Sequence, residues 1–485
     1  MEFNYILIGI LVFLLIIAIY DLIQNKHTVT RNFPIIGHLR FLLEKVGPEI
    51  RQYLITDNDS ERPFSRDQRR MIYSTAKKQN TNFGFGTDQD LDNTSNYIII
   101  KQSTFPFIPD KDSATGVGPD WNLPSKKIIG EYRNREKKFR PNSIFNISGM
   151  SYGALGPSAV TALNKGAKIA GVMQSTGEGS ISPYHQNGGD LIWQIGTGYF
   201  GARNLDGTFS EEKFLETVGK NPTIKAIEIK LSQGAKAGLG GILPASKITK
   251  EIAEIRGIKM GQDCHSPARH SAFSNADEML DFVERISSLT GLPVGIKSAV
   301  GDISFFQELA FKMSQDPSRG IDFLTIDGGE GGTGAGPLTF TDHVSLPFMI
   351  GFPRVYNIFE ENDLIKDLTF IGSGRLGLPS RAVRAFTLGV DMINVARESM
   401  LSIGCIQALR CHTGHCPTGV ATSNHWLNRG LNIDRSALRC ANYLIEMRQQ
   451  LATLSHACGL AHPGEFTDKD IEIINAQQNS ANRTE

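Results

Sequence analysis

"DFLTIDGGEGGTGAG", residues 322–336, begins as a short apolar, β-branched run, reaches Asp327 and then dissolves into glycine. A short apolar run bounded by turn signals reads as a strand buried on both faces, the kind that builds parallel sheets. The same texture recurs on either side. "IFNIS" (144–148), "GVMQS" (171–175), "AIEIK" (226–230), "VGIKS" (294–298), "TFIGS" (369–373) and "MINVA" (392–396) are six further runs. Helical patterns lie between them, among them "PSAVTALNKGAKIA" (157–170) and "ADEMLDFVERISSLTG" (276–291). A weaker candidate near Met260 to Cys264 supplies an eighth strand. Eight strands alternating with helices predict an α/β fold of the TIM (β/α)8 barrel type, in preference to a shorter doubly wound sheet.

A barrel confines its chemistry to the C-terminal ends of its strands. Those ends read Ser148-Gly149-Met150-Ser151, Gln174-Ser175, Lys230 to Gln233, Lys297, Asp327-Gly328-Gly329 and Gly372-Ser373-Gly374, polar or glycine-rich throughout. "GGEGGTGAG" (328–336), which holds Gly331 and Gly332, and "GSGRLG" (372–377), which holds Gly372 and Gly374, follow the sixth and seventh strands. Late barrel loops of this kind bind phosphate through backbone N–H groups, and Arg375 and Arg397 lie near enough in sequence to offset its charge. Together they predict a phosphorylated cofactor. Lysine at the end of an apolar strand is costly unless paired or wet, so Lys297 is either a structural ion pair or a stabiliser of negative charge on that cofactor. "EIKLSQGAKAGLGG" (228–241) groups Lys230, Gln233 and Lys236, which suits a carboxylate substrate, and "STGEGS" (175–180) offers Glu178 as an acid/base or gating carboxylate.

Of 485 residues, Lys plus Arg and Asp plus Glu number 50 each, which gives no support to nucleic-acid binding. Residues 5–23, "YILIGILVFLLIIAIYDLI", are apolar apart from Asp21, close to the roughly 20 residues a bilayer-spanning helix needs. Glu2 before the run and bulky residues after it argue against a cleaved signal and for an uncleaved transmembrane anchor. Lys26, His27 and Arg31 follow, so the positive-inside rule places a single-pass chain with its catalytic part in the cytoplasm. The expected layout is thus an anchor at 5–23, a polar N-terminal extension at 26–140, a barrel at 141–430 and a helical C-terminal tail at 431–485.

"CIQALRCHTGHC" (405–416) gathers Cys405, Cys411 and Cys416. Three thiolates so spaced suit an iron–sulfur cluster. Zinc, with His412 or His415 completing a tetrahedral site, and plain buried thiols remain open on residue types alone. Cys264, Cys440 and Cys458 are isolated and read as ordinary thiols.

"MSYGALGPSAVTAL" (150–163), "STGEGS", "LSQGAKAGLGGILP" (231–244), "DGGEGGTGAGPL" (327–338) and "GCIQALRCHTGHCPTGVAT" (404–422) resemble, in order over about 140–430, the FMN-binding synthase domain of glutamate synthase. The cysteine segment is the most specific part of the likeness. The resemblance implies an FMN barrel fed by a 3Fe-4S cluster on Cys405, Cys411 and Cys416, in which case His412 and His415 are neighbours rather than ligands. It implies flavin contacts around Gly149, Met150, Ser151 and Ser175, a polar flavin edge at Gln233 and Lys297, a carboxylate site at Lys236 and a cavity-facing Glu178. The implied reaction is hydride delivery to 2-iminoglutarate, formed from 2-oxoglutarate and ammonia or an amine, giving L-glutamate.

The departures carry expectations of their own. With no cysteine before Cys264, the chain is expected to lack the family's glutaminase nucleophile, and its electrons to come from a separate donor such as ferredoxin or a reductase subunit. In "QGAKAGLGG", Ala237 and Leu239 replace the family's proline and glutamate. In these respects the chain is more like the short, anchored glutamate-synthase-related proteins than the full synthases. Two other functions fit the same cofactors: an amine or amino-acid dehydrogenase running oxidatively into a membrane acceptor, and a non-catalytic electron-transfer or regulatory protein.

Overall fold

Parallel strands must bury both faces, and eight short apolar runs do so by closing on themselves. The computed structural model describes residues 2–82, 84–91, 94–109 and 122–474. Within it β1 (Phe145–Ile147), β2 (Met173–Ser175), β3 (Asp190–Ile195), β4 (Ile224–Lys230), β5 (Val294–Ser298), β6 (Phe323–Asp327), β7 (Thr369–Ser373) and β8 (Met392–Val395) form a closed barrel. Every neighbour pair is parallel, and β8 returns to β1 with Ile393 opposite Phe145.

The eighth strand is not the expected one. The stretch near Met260 to Cys264 contributes only Cys264–His265, which pairs antiparallel with Ile242–Leu243 in a small ribbon outside the barrel. The missing member is β3, "DLIWQI". It escapes a helix–strand alternation test because no α-helix separates it from β2; the connection holds only a short turn at Pro183–His185. Its Gln194 also interrupts an otherwise apolar run, and the structure accounts for that residue by a buried hydrogen bond to Glu228 at 2.5 Å.

Met173, Ile192, Ala226, Phe323, Ile371 and Met392 fill the lower barrel, and Ile129 and Phe139, paired with each other, close it from below. Gly295 in β5 is required there, because a Cβ would lie 2.4 Å from the Phe323 ring that crosses the interior. Helices that follow the strands, such as Pro157–Ala170 after β1 and Ser304–Gln315 after β5, cover the outside.

Within the segment expected to be a C-terminal tail, a helix, Ile433–Ala457, packs on the barrel helix 157–170 at a close approach where Gly166 meets Cys440. Arg448 donates to the Ala170 carbonyl at 2.7 Å and Tyr443 to that of Gly377 at 2.8 Å. A strand, Ile471–Ile474, then pairs antiparallel with Tyr97–Ile100 from the region read as extension. Neither four-residue run announces itself, because each needs a partner far away in sequence.

The chain divides into two compact units, Met1–Arg70 and Met71–Glu485. The boundary falls inside the segment expected to form one extension from 26 to 140. In the first unit, Phe3–Ile23 lies in the one helix among the described residues that is long and apolar enough to cross a membrane. Asp21 near its end is buried, accepts the Ile35 N–H at 2.9 Å and meets His38 Nε2 at 2.9 Å, so the next helix, Gly37–Ile50, is tied back to it.

Candidate active site

Adjacent parallel strands in register bring their last residues to one level. Lys230 at the end of β4 is the Cα partner of Lys297 in β5, and Asp327 at the end of β6 is that of Ser373 in β7. Two buried lysines side by side repel unless carboxylates are interleaved, and they are. Lys297 Nζ lies 3.3 Å from Asp327 Oδ2, while Lys230 Nζ donates to Gln233 Oε1 at 2.6 Å and lies 3.3 Å from Glu178 Oε2. Below them the buried Glu228 accepts from Gln194 and from the Thr325 hydroxyl at 2.8 Å.

The electrostatics follow from this alternation. Burial works against the charge on Lys297, but Asp327 and Glu228 hold its ammonium above the usual lysine range. Burial pushes the Glu178 carboxyl up, and Lys230, Lys236 and Arg256 overcome that push and hold it below its ordinary value. Lys236, buried with Nζ 3.0 Å from the Ala335 carbonyl, is pulled down to about 8 by desolvation despite the pull of Glu178.

Lys230, Gln233, Lys297 and Asp327 border a cleft of about 470 Å³, counting the open space at its mouth. One wall is Ser148, Gly149 and Gln194, the floor is Lys230, Gln233, Lys297 and Asp327, and the far wall is Gly331, Gly332, Ser373 to Arg375, Asn394 and Ala396 to Glu398. Side chains at the glycines would fill it: a Cβ on Gly149 would lie 3.0 Å from Ser175 Oγ, and one on Gly332 2.8 Å from Arg397 Cδ. At the far wall, burial together with Arg381 and Arg397 pushes Arg375 down to about 10, so the guanidinium cluster favours an added anion. Among the described residues, Asn394 Oδ1 and Ser175 Oγ are buried without a hydrogen-bond partner. Paired glycine loops, clustered arginines and unmatched polar atoms fit a phosphate-bearing ligand with polar edges.

The cysteine segment lies against the loop that leaves β1, whose Gly156 N–H donates to the Val420 carbonyl at 2.9 Å. Gln407 and Leu409 hold left-handed backbone (φ 57° and 55°), so the chain winds tightly between Cys405 and Cys411. Cys416 is buried; desolvation opposes its thiolate, but the N–H groups of Ala421, Thr418 and Val420 and the Thr418 hydroxyl hold it below the ordinary thiol value. Burial, reinforced by Cys416, raises the Cys411 thiol. Cys405 Sγ accepts the Gln407 N–H at 3.4 Å. Among the described residues no three His, Cys, Asp or Glu side chains are gathered as a ready metal site. His412 and His415 are exposed, the latter bonded through Nδ1 to the Thr413 carbonyl at 2.9 Å.

The conserved region in glutamate synthase matches residues 118–461. This chain belongs to the glutamate synthase family. A glutamate synthase large subunit-like protein of Bacillus subtilis, YerD, is 38% identical to this family member over 483 residues, covering 94% of this chain and 91% of that protein. The archaeal NADPH glutamate synthase of Methanocaldococcus jannaschii is 31% identical over 318 residues, 65% of this chain and 58% of that enzyme. Among solved structures, a mandelate oxidase aligns at a TM-score of 0.45 and 12% identity, covering 78% of this chain and 88% of that one.

In this glutamate synthase family member, Gly149, Gln233, Lys297, Gly331, Gly332, Gly374 and Arg397 of the expected residues line the cleft. Met150, Ser151 and Ser175 lie behind its near wall: Gly177 packs on the backbone of Met150 and Ser151, and Ser175 Oγ faces Gly149. Glu178 and Lys236 join through Lys230 rather than by lining the cleft themselves. Gly372 sits within β7, where a Cβ would lie 2.8 Å from the Phe348 ring, so its small size serves packing rather than phosphate approach. Gln194, Asn394 and Glu398 line the cleft without having been singled out. Gln194 was missed with its strand; Asn394, a lone polar residue inside "MINVA", is the one signal the sequence did offer.

Proposed function

We propose that the cleft holds FMN and that the chain is a glutamate synthase-type oxidoreductase carrying out reductive amination of 2-oxoglutarate through 2-iminoglutarate. The observation that carries this reading is a cleft with alternating lysines and carboxylates on one side and glycine loops with clustered arginines on the other, in a chain of this family. Reduced FMN, when bound, would supply the hydride. The backbone of Gly331, Gly332 and Gly374, with Arg375 and Arg397, would hold its phosphate. Gln233 and Lys297 would face its polar edge, Lys297 offsetting negative charge there. Lys236 would bind a substrate carboxylate, and Glu178, held anionic between Lys230 and Lys236, would orient the ammonium of both and bias a proton toward the nitrogen of the substrate.

Cys405, Cys411 and Cys416 are the proposed ligands of a 3Fe-4S cluster that takes electrons from a separate donor. The N–H groups aimed at Cys416 support an anionic sulfur there. Ammonia or an amine would be the nitrogen donor. The exposed apolar helix at 3–23 supports a single-pass membrane anchor with the barrel in the cytoplasm. That same helix favours a second reading, oxidation of an amine or amino acid with electrons passed to a membrane acceptor.

The test is direct. The purified full chain is expected to show flavin absorption bands and an iron–sulfur signal, and Cys411→Ser to lose the iron while keeping the flavin. Anaerobic reduction followed by 2-oxoglutarate and ammonia should reoxidise the flavin and yield glutamate. A flavin that stays reduced rejects the synthase direction, and reduction of the oxidised enzyme by an amine alone selects the second reading.

A further inference from the structure

Lys247 is almost completely buried, at 2% exposure, yet among the described residues no Asp or Glu carboxylate lies within ion-pair distance of it. An unpaired buried ammonium is expensive, so a partner of opposite charge is to be sought nearby. Its Nζ donates to the Ala154 carbonyl at 2.7 Å and to the Cys411 carbonyl at 3.2 Å. Burial pulls its ammonium down to about 8; the Cys411 and Cys416 sulfurs work against that pull, and Arg256 adds to it. The stem is fixed as well: Gly414 faces its Cγ and the Ser423 hydroxyl donates to its carbonyl at 2.9 Å. Ala154 belongs to the loop that leaves β1 through the cleft residues Ser148 and Gly149, and the end of that loop bonds the cysteine segment again, Gly156 N–H to the Val420 carbonyl at 2.9 Å.

We propose that Lys247 is a fixed counter-cation that sets the reduction potential of the cluster and joins the cluster segment to the flavin-side loop. This rests on the cluster reading above. A cluster held by three thiolates is a net anion and gains one more negative charge when it accepts an electron. A buried cation bonded to the ligand segment would favour the reduced form and raise the potential. Two features make the residue suited to this: it carries charge where no carboxylate cancels it, and it bonds carbonyls on both segments, so it cannot swing away.

The experiment is redox titration of the detergent-solubilised full chain, followed by electron paramagnetic resonance of the cluster, on wild type, Lys247→Met, Lys247→Gln and Lys247→Arg. The neutral variants are expected to lower the midpoint potential by a tenfold or larger change in the oxidised-to-reduced ratio, about 59 mV or more for one electron. The arginine variant, which keeps the charge, is expected to shift by less than half as much. Neutral variants that cannot hold a cluster, beside an arginine variant that can, would also support the role of charge. Unchanged potentials in Met and Gln overturn the proposal, as does equal loss of the cluster in all three. A wild-type chain with flavin but no cluster signal instead overturns the underlying assignment of the cysteines, a result that is distinguishable from failure of the Lys247 role alone.

Discussion

Asp322 and Asp327 bracket the same strand, β6, and have opposite tasks. Asp322, just before it, is held by Arg135 Nε at 3.0 Å and by the Val294 N–H at 2.8 Å, while Arg135 grips Glu284 in a two-pronged pair at 2.6 and 2.7 Å. Asp322 and Glu284 at this lower end both meet Arg135, and the segment carrying Arg135 also bears Ile129 and Phe139, which close the barrel. Asp327, at the upper end, shares Lys297 and accepts the Gly234 N–H at 3.1 Å, but it faces a cleft whose arginines and glycine amides have room for a further anion. Charges paired within the protein stabilise; a cleft lined by like charges suits a ligand of the opposite one. The contrast agrees with the general division of barrels into a stability face and a chemical face.

The most severe test is at the lower end. Arg135→Met leaves Asp322 and Glu284 without their cation and is expected to cost about 3–5 kcal/mol of stability, read by denaturant unfolding, with the flavin spectrum of the remaining folded protein unchanged. Lys297→Met should invert that pattern, lowering turnover by ~10²–10³ with a smaller loss of thermal stability than Arg135→Met. Equal stability losses in the two variants would erase the distinction between the ends of β6.

Beside the cleft, Lys236 sharpens the comparison through pH. Its ammonium, pulled down to about 8, deprotonates as pH rises, so the carboxylate substrate proposed for it would be held below that value and released above it. kcat/KM for 2-oxoglutarate should therefore fall above about pH 8, and Lys236→Arg, which keeps its charge, should move that limb upward; an unmoved limb assigns it to another group. The mildest change is Gly332→Ala. Its Cβ would crowd Arg397 Cδ, and overpacking on the order of 1–3 kcal/mol predicts roughly tenfold weaker FMN binding by equilibrium dialysis, with little effect on the melting temperature.

Much of this was legible in the sequence. Seven barrel strands announce themselves as short apolar runs, and the polar residues ending them, Lys230, Lys297 and Asp327, are the ones the cleft uses. Side-chain burial on both faces of a parallel strand requires such runs wherever the strand sits, so composition alone reveals them. β3 was not legible, because its helix is absent and Gln194 looks out of place until Glu228 is brought beside it.

The sequence by itself determined the family, the barrel class, the glycine loops and the spacing of the three cysteines, since each is a local pattern that a run of neighbours must satisfy. Tertiary structure alone decided which strand is eighth, which lysine faces which carboxylate, and that Lys247 lies buried between Ala154 and Cys411. Those outcomes depend on the register of strands and loops far apart in the chain, and the energy of a buried charge is fixed by neighbours that only folding supplies.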